Sequence, residues 1–199
     1  MAHLSQTGQA VALKEWAVAV QALLDGRQTI VMRKGGIVEE TKHFELKSHS
    51  FYLYPTYEHQ RKHLLKDTYQ HVLNETLADW SPNDSSVTIA AYAEAVRDIE
   101  IRDQETLDRL RHLHIWTDRF AEERLKWKRK HPLHVIVLRV YRLQDPLEIP
   151  IVPEHLGCKS WVGLDAGNSA SGMSPVIGDR EFEIQLEQIE KACRSIDLL

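Results

Sequence analysis

The amino-acid sequence predicts an α+β fold in which a small, mostly antiparallel sheet or a partly open β-barrel is flanked by helices. Three patterns support this fold class. Residues 135–141 read Val-Ile-Val-Leu-Arg-Val-Tyr, which is typical of a central strand covered on both faces. Residues 87–96 alternate between the two faces of a half-buried strand. Apolar residues also recur at helical intervals near both ends of the chain.

Length and composition indicate a soluble globular protein. The chain has 199 residues, 43% hydrophobic and 27% charged. We expect one domain over residues 1–199, with a core at about 10–165, an appended C-terminal loop (165–178) and a helix (180–197). The net charge of −4 means that any basic site must be local. Cys158 and Cys193 lack the spacing of metal ligands and are predicted to be free thiols.

No membrane or export signal is expected. Residues 1–9 are polar and contain no hydrophobic signal core. No apolar run approaches the roughly 20 residues that span a bilayer. We therefore expect a cytoplasmic protein that does not associate with membranes.

The first third of the chain predicts a helix followed by short strands. The helix covers residues 10–25 and ends at Gly26, because glycine accepts the left-handed backbone of a helix cap. The β-branched residues of 29–33 predict a strand. Residues 44–47 and 51–54 predict two more, paired as a hairpin across Ser48-His49-Ser50.

Proline and polar residues then mark the next boundaries. Pro55 is expected to end its strand, because proline cannot donate a hydrogen bond to a sheet. Thr56 is the expected N-cap of a helix that runs to about residue 73. Residues 81–85 predict a polar loop.

The second half alternates between strands and helices. The strand at 87–96 is expected to reach Ile101, although its alanines also fit a helix. Asp103 caps a predicted helix, and a second helix covers 118–130 with Phe120, Leu125 and Trp127 facing inward. The central strand at 135–141 leads into an extended, proline-containing stretch.

Cationic and aromatic residues recur where the predicted strands end, and they form the candidate ligand site. Arginine grips phosphates and stacks on bases, while flat aromatic rings offer stacking surfaces. Glycine lets a ligand approach the backbone closely. We therefore expect a non-catalytic binding domain for RNA or a nucleotide-like ligand. Its predicted contacts are Arg33, Lys34, Gly35, Gly36, Tyr54, His59, Arg139 and Trp161, which are expected to border one hollow.

Two alternatives remain open. Glu45 and Lys47, with Glu39 or Glu40, have the Glu-x-Lys form of Mg²⁺-dependent nucleases of the restriction-endonuclease type. A protein-interaction module without a small ligand is the other alternative, and it requires an exposed apolar patch. Histidine pairs are present, but no arrangement typical of a metal site accompanies them, so we predict no metal and no cofactor. The sequence does not indicate an oligomeric state.

Four segments carry a resemblance to a known family. They read Ala-Leu-Lys-Glu-Trp at 12–16, Arg-Lys-Gly-Gly-Ile at 33–37, Phe-Tyr-Leu-Tyr-Pro-Thr-Tyr-Glu-His-Gln at 51–60 and Val-Leu-Arg-Val-Tyr-Arg-Leu at 137–143. Together they resemble a bacterial family named domain of unknown function 1802, over roughly residues 10–165. The resemblance implies membership of a family but no activity, so it assigns no functional residue.

A weaker resemblance is to the PUA-like β-barrels, including the ASCH and EVE domains. It lies in residues 24–33, where a helix leads into a Gly-x-x-Thr run that ends in arginine. The likeness implies a partly open barrel in which this segment lines a cleft for RNA or a modified base. The long central helices and the low basic charge of this chain depart from that pattern.

Overall fold

The computed structural model of the protein describes residues 10–34, 45–127, 131–165 and 172–194. Its strands are β1 (Ala10–Trp16), β2 (Ile30–Arg33), β3 (Ser50–Thr56), β4 (Ser86–Ile101), β5 (Leu133–Pro150), β6 (Trp161–Leu164) and β7 (Met173–Pro175). Its α-helices are α1 (Ala17–Leu24), α2 (Gln70–Leu77), α3 (Gln104–Arg109), α4 (Asp118–Lys126) and α5 (Asp179–Cys193). Single 3₁₀ turns cover Lys62–Leu64, Asp67–Tyr69, Arg111–Leu113 and Pro153–His155.

The described strands form one seven-stranded sheet that does not close into a barrel. The strand order is β2-β5-β4-β3-β1-β6, and β7 pairs with β5 further along that strand. Only β1 and β3 are parallel to each other, while the other pairings are antiparallel. With helices packed around this sheet, the predicted α+β class with a mostly antiparallel, open sheet is confirmed.

The predicted helix over residues 10–25 is wrong in its first half, where the chain forms β1. The reason is that β1 lies between β3 and β6 and is covered on both faces, so that Ala12 and Leu13 are both fully buried. A strand of this kind lacks simple alternation and can imitate a helical stripe. The helix begins only at Ala17. Its end at Gly26 is confirmed: Gly26 has a φ of 68°, and the N–H of Arg27 donates to the carbonyl of Ala22.

The predicted hairpin before Pro55 is also wrong. Residues 45–48 form no strand, and β3 pairs instead with β1 and β4. Pro55 lies within β3, opposite Glu15 of β1. The pairing with β4 has already ended at Tyr52, so this end of β3 has a single neighbour and tolerates a proline as an edge strand does.

Thr56 does not cap a helix, because it is the last residue of β3 and its hydroxyl donates to the carbonyl of Glu15 at 3.1 Å. Two 3₁₀ turns follow β3. Of the helix predicted to run from Thr56 to about residue 73, only the last part is helical, as the beginning of α2. The predictions for residues 87–103 agree with the structure. The strand to Ile101 is present as β4, and Asp103 caps α3 by accepting a hydrogen bond from the N–H of Thr106 at 2.8 Å.

The largest hydrophobic cluster joins the helices to one another and to strands β2 and β5. This cluster includes Leu65, Trp116 and Phe120, together with Phe182 and Ile189 of α5. Trp127, which was predicted to face inward, is 38% exposed at the end of α4. None of the described helices is long and apolar enough to cross a membrane.

Candidate ligand-binding cavity

A cavity of about 670 Å³ lies where several strands and loops end. The parallel pairing of β1 and β3 brings their carboxyl ends side by side, and the end of β2 lies nearby because the side chain of Arg33 contacts β1. The remaining lining comes from α2, the following turn, the start of β4, α4 and the loop before β6. The charged lining residues are Lys14, Glu15, Arg33, Lys34, Glu58, Glu75, Asp79, Asp84, Arg124 and Lys159.

The basic part of the lining, here called the cationic wall, consists of Lys14, Arg33, Lys34 and Arg124. The guanidinium of Arg33 donates to the carbonyl of Lys14 at 3.2 Å and to Ser160 Oγ at 2.5 Å. It also lies 3.5 Å from Glu15 Oε2, and both side chains of this ion pair are largely buried. Burial, together with the charge of Arg33, lowers the pKa of Arg124 to about 10, and the charge of Glu15 opposes this shift. Two guanidinium groups therefore lie within electrostatic range of one carboxylate.

Lys34 joins the end of β2 to α4. Its side chain is 1% exposed, and its ammonium donates to the carbonyl of Leu125 in the last turn of α4. A cation is favoured there because the carbonyl end of a helix carries partial negative charge. Burial lowers the pKa of Lys34. Lys34 thus adds positive charge to the cationic wall while it anchors α4.

Lys14 holds the loop that borders the cavity before β6. Its ammonium donates to the carbonyls of His155 at 2.7 Å and Gly157 at 2.9 Å, and it lies 6.0 Å from the ring centroid of Tyr54. Burial is the main cause that lowers the pKa of Lys14. His155 Nε2 lies 3.1 Å from the carbonyl of Gly163, which can only accept, so we assign the proton to this nitrogen. These contacts fix one edge of the cavity.

A second part of the lining, here called the aromatic wall, consists of Tyr57 and Trp80 with Glu75, Asp79 and Asp84. The rings of Tyr57 and Trp80 are stacked, with centroids 5.7 Å apart and an interplanar angle of 12°. Burial raises the pKa of Tyr57, and the charge of Asp84 adds to that effect. Asp84 also accepts a hydrogen bond from the N–H of Ser81 at 2.9 Å, which shapes the turn after Trp80.

The predicted site residues are only partly brought together. Arg33, Lys34, Tyr54 and His59 line the cavity, and His59 has a positive φ of 65°. Gly35 and Gly36 lie outside the described residues, as do Glu39 and Glu40.

Arg139 and Trp161 do not line the cavity, which corrects the expected grouping. Arg139 lies in the middle of β5 rather than at a strand end, because β5 continues to Pro150. It donates to Asp179 Oδ1 at 2.5 Å and stacks on the ring of Phe182, under α5. Trp161 packs edge-on against Phe51 and donates from its indole nitrogen to the carbonyl of Glu45.

Of the residues proposed for nuclease chemistry, Glu45 and Lys47 do not line the cavity. Glu45 and Lys47 are exposed, in a segment that is not a strand. In the described ranges, no three His, Cys, Asp or Glu side chains converge to hold a metal ion.

Sequence reasoning missed Tyr57, Trp80 and Arg124. Tyr57 falls within the helix predicted after Thr56, Trp80 precedes the predicted polar loop at 81–85, and Arg124 follows no strand. A sequence-level signal existed only for Trp80, since a tryptophan beside a polar Ser-Pro-Asn-Asp-Ser turn is typical of a partly exposed ring.

The comparisons with known proteins agree with the resemblance noted in the sequence. The model of the family described as domain of unknown function (DUF1802) matches residues 12–188. The chain belongs to this family. Among curated proteins, none matches the DUF1802 chain.

Two solved structures are similar to this DUF1802 chain. One is an ASCH protein from Zymomonas mobilis, with 12% identity and a TM-score of 0.44, covering 80% of this chain and 90% of that one. The other is a mutant of the same ASCH protein, with 12% identity and a TM-score of 0.42, covering 90% and 95% of the two chains. Both belong to the group named by the weaker sequence resemblance.

Proposed function

We propose that the protein binds a nucleotide-like ligand in the cavity, either as a free nucleotide or as a nucleotide exposed in RNA. The observation that carries the proposal is the arrangement of Arg33 and Arg124 around Glu15. In the part of the chain that the structure describes, this buried carboxylate is the acidic group that the two guanidinium groups share. The phosphate of the ligand would bind at the cationic wall.

The charge balance of the cationic wall supports an anionic ligand. Arg33, Arg124 and Lys34 each bring a positive charge to the cavity lining, and the burial of Lys34 and Glu15 limits screening by water. The negative charge of a bound phosphate would be attracted to these groups, and arginine forks bind phosphate oxygens in pairs.

The size and the aromatic content of the cavity support a nucleotide in particular. Its volume of about 670 Å³ lies within the range of small-molecule sites, roughly 300–1,000 Å³. Tyr54, Tyr57 and Trp80 contribute rings to the lining, and stacking on such rings binds nucleobases without a requirement for one sequence. Acidic residues elsewhere in the lining argue against a channel that binds long stretches of polyanion.

The test is direct binding with two probes. Intrinsic tryptophan fluorescence reports the binding of GMP, and the anisotropy of a labelled ten-nucleotide single-stranded RNA reports binding to a chain. Arg33→Gln and Arg124→Gln should each weaken binding about tenfold or more, because each removes charge-assisted hydrogen bonds. Arg180→Gln is the matched control, since Arg180 is exposed on α5 and does not line the cavity.

The two probes also separate the sources of the ligand. Tight binding of GMP alone identifies a free nucleotide, and tight binding of RNA alone identifies an exposed nucleotide in a chain. If neither probe binds the folded protein, or if both arginine variants bind as the control does, the proposed function is wrong.

A further inference from the structure

We propose that the stacked Tyr57–Trp80 pair is the platform for the base, and that its flanking carboxylates favour bases that present N–H donors or positive charge. This inference rests on the proposed function, and it assigns the base end of the same cavity. The preferred ligand would be a nucleotide with a positively charged base, such as an N-alkylated purine, followed by guanine, with uracil the weakest.

The aromatic pair has the properties of a binding platform. Both rings line the cavity and are half-buried, so that part of their surface is open to a ligand. Tyr57 packs against the hydrophobic cluster that contains Tyr54 and Val87, and this packing supports the aromatic pair. A rigid, partly open aromatic surface binds a base at low entropic cost.

The flanking carboxylates give the platform its chemical preference. Glu75 lies in the last turn of α2, Asp79 follows two residues after the end of α2 at Leu77, and Asp84 lies in the turn after Trp80. Carboxylates accept hydrogen bonds and cannot donate them when ionised. They repel a phosphate, so the phosphate and the base of one ligand would be directed to different walls of the cavity.

Base chemistry then predicts an order of affinity. Guanine presents two adjacent N–H donors that one carboxylate can bind, whereas uracil presents a single N–H between two carbonyl oxygens that a carboxylate repels. A base with a positive charge adds attraction to the carboxylates and to the face of the tryptophan ring. The cavity would therefore select the base by charge as well as by shape.

The experiment compares three ligands that share the phosphate group. The binding of 7-methylguanosine monophosphate, GMP and UMP is measured by isothermal titration calorimetry. We expect 7-methylguanosine monophosphate to bind about tenfold more tightly than GMP, because cation–π contacts of a desolvated ring reach this magnitude. GMP should in turn bind more tightly than UMP.

Two sets of variants assign the preference to the aromatic wall. The double variant Glu75→Gln with Asp79→Asn should bring the three affinities close together, while Glu183→Gln, an exposed control on α5, should leave them unchanged. Trp80→Phe should keep most of the affinity, and Trp80→Ala should lose it. Circular dichroism verifies that each variant is folded.

The outcomes separate this inference from the proposed function. Equal affinities for the three nucleotides, with binding that still depends on Arg33 and Arg124, would overturn the base preference and leave phosphate binding intact. Preserved discrimination in the Glu75→Gln, Asp79→Asn variant would also overturn it. A lack of binding to all three nucleotides would overturn both proposals.

Discussion

Arg33 and Ser160 are joined by a hydrogen bond of 2.5 Å, although they are 127 residues apart in the sequence. The bond connects the end of β2 to the loop before β6, on the side of the cavity where Lys14 also holds that loop. Ser160 is 2% exposed, so its hydroxyl has no access to bulk water. The cationic wall therefore also connects β2 to the loop before β6.

Ser160→Ala should destabilise the protein by about 1–2 kcal/mol, because it removes a hydrogen bond to a charged group in a buried position. The free energy of unfolding, measured with urea, tests this. Ser174→Ala provides a matched control, since Ser174 lies exposed on β7. Equal stability of the two variants would mean that the bond from Arg33 contributes nothing.

Glu15→Gln should lower stability and raise affinity for anions. The change removes the carboxylate between Arg33 and Arg124, and breaking a buried ion pair in this way costs about 3 kcal/mol. A bound anion would replace the lost charge. Thermal unfolding of the variant should therefore shift upward in inorganic phosphate by more than that of the unmodified protein. An identical shift in both proteins would contradict the charge balance proposed for the cationic wall.

The centre of the sheet was predictable from the sequence because β4 and β5 carry local patterns. The alternation along β4 indicates a strand with one buried face, and the continuous apolar run in β5 indicates a strand buried on both faces. β1 carries no such pattern, because both of its faces are buried, and its pairing with β3 is parallel. Parallel pairing joins segments that are distant in sequence and leaves no turn motif to detect.

The presence or absence of a local sequence pattern also explains which residues of the cavity were predicted and which were missed. Arg33 and Tyr54 were identified because a cation or an aromatic ring at the end of a strand is visible locally. Trp80 and Arg124 reach the cavity only through the packing of α2 and α4, which no short-range pattern encodes. Arg139 was misplaced for the opposite reason, since β5 extends well beyond the apolar run that suggested its end.

Gly26→Ala should destabilise the protein more than Gly157→Ala. Both glycines have positive φ, at 68° and 82°, so both substitutions impose a strain of about 1–2 kcal/mol. A Cβ at Gly26 would also lie 2.7 Å from Ile177 Cγ2, whereas one at Gly157 would meet no atom within 4 Å. The difference in urea midpoints between the two variants measures this contact. Equal midpoints would show that Ile177 moves aside freely.

His114 should make stability fall as the pH decreases. Burial, with the charge of Lys66, lowers the pKa of His114 from 6.5 to about 3. Between these values the unfolded chain binds a proton that the folded protein does not, so the free energy of unfolding rises with pH throughout this window. Its side chain is almost fully buried, and its Nδ1 has no hydrogen-bond partner in the described chain.

The comparison of His114→Phe with the unmodified protein isolates this effect from the other ten histidines. Between pH 6.5 and pH 5 the unmodified protein should lose up to about 2 kcal/mol more stability than the variant, because each pKa unit corresponds to about 1.4 kcal/mol. Urea denaturation at the two pH values measures the difference. His112→Phe, at an exposed position two residues earlier, should behave like the unmodified protein because its histidine already contacts water in the folded state. An equal loss of stability in His114→Phe and in the unmodified protein would show that His114 takes up its proton in the folded protein as readily as in the unfolded chain.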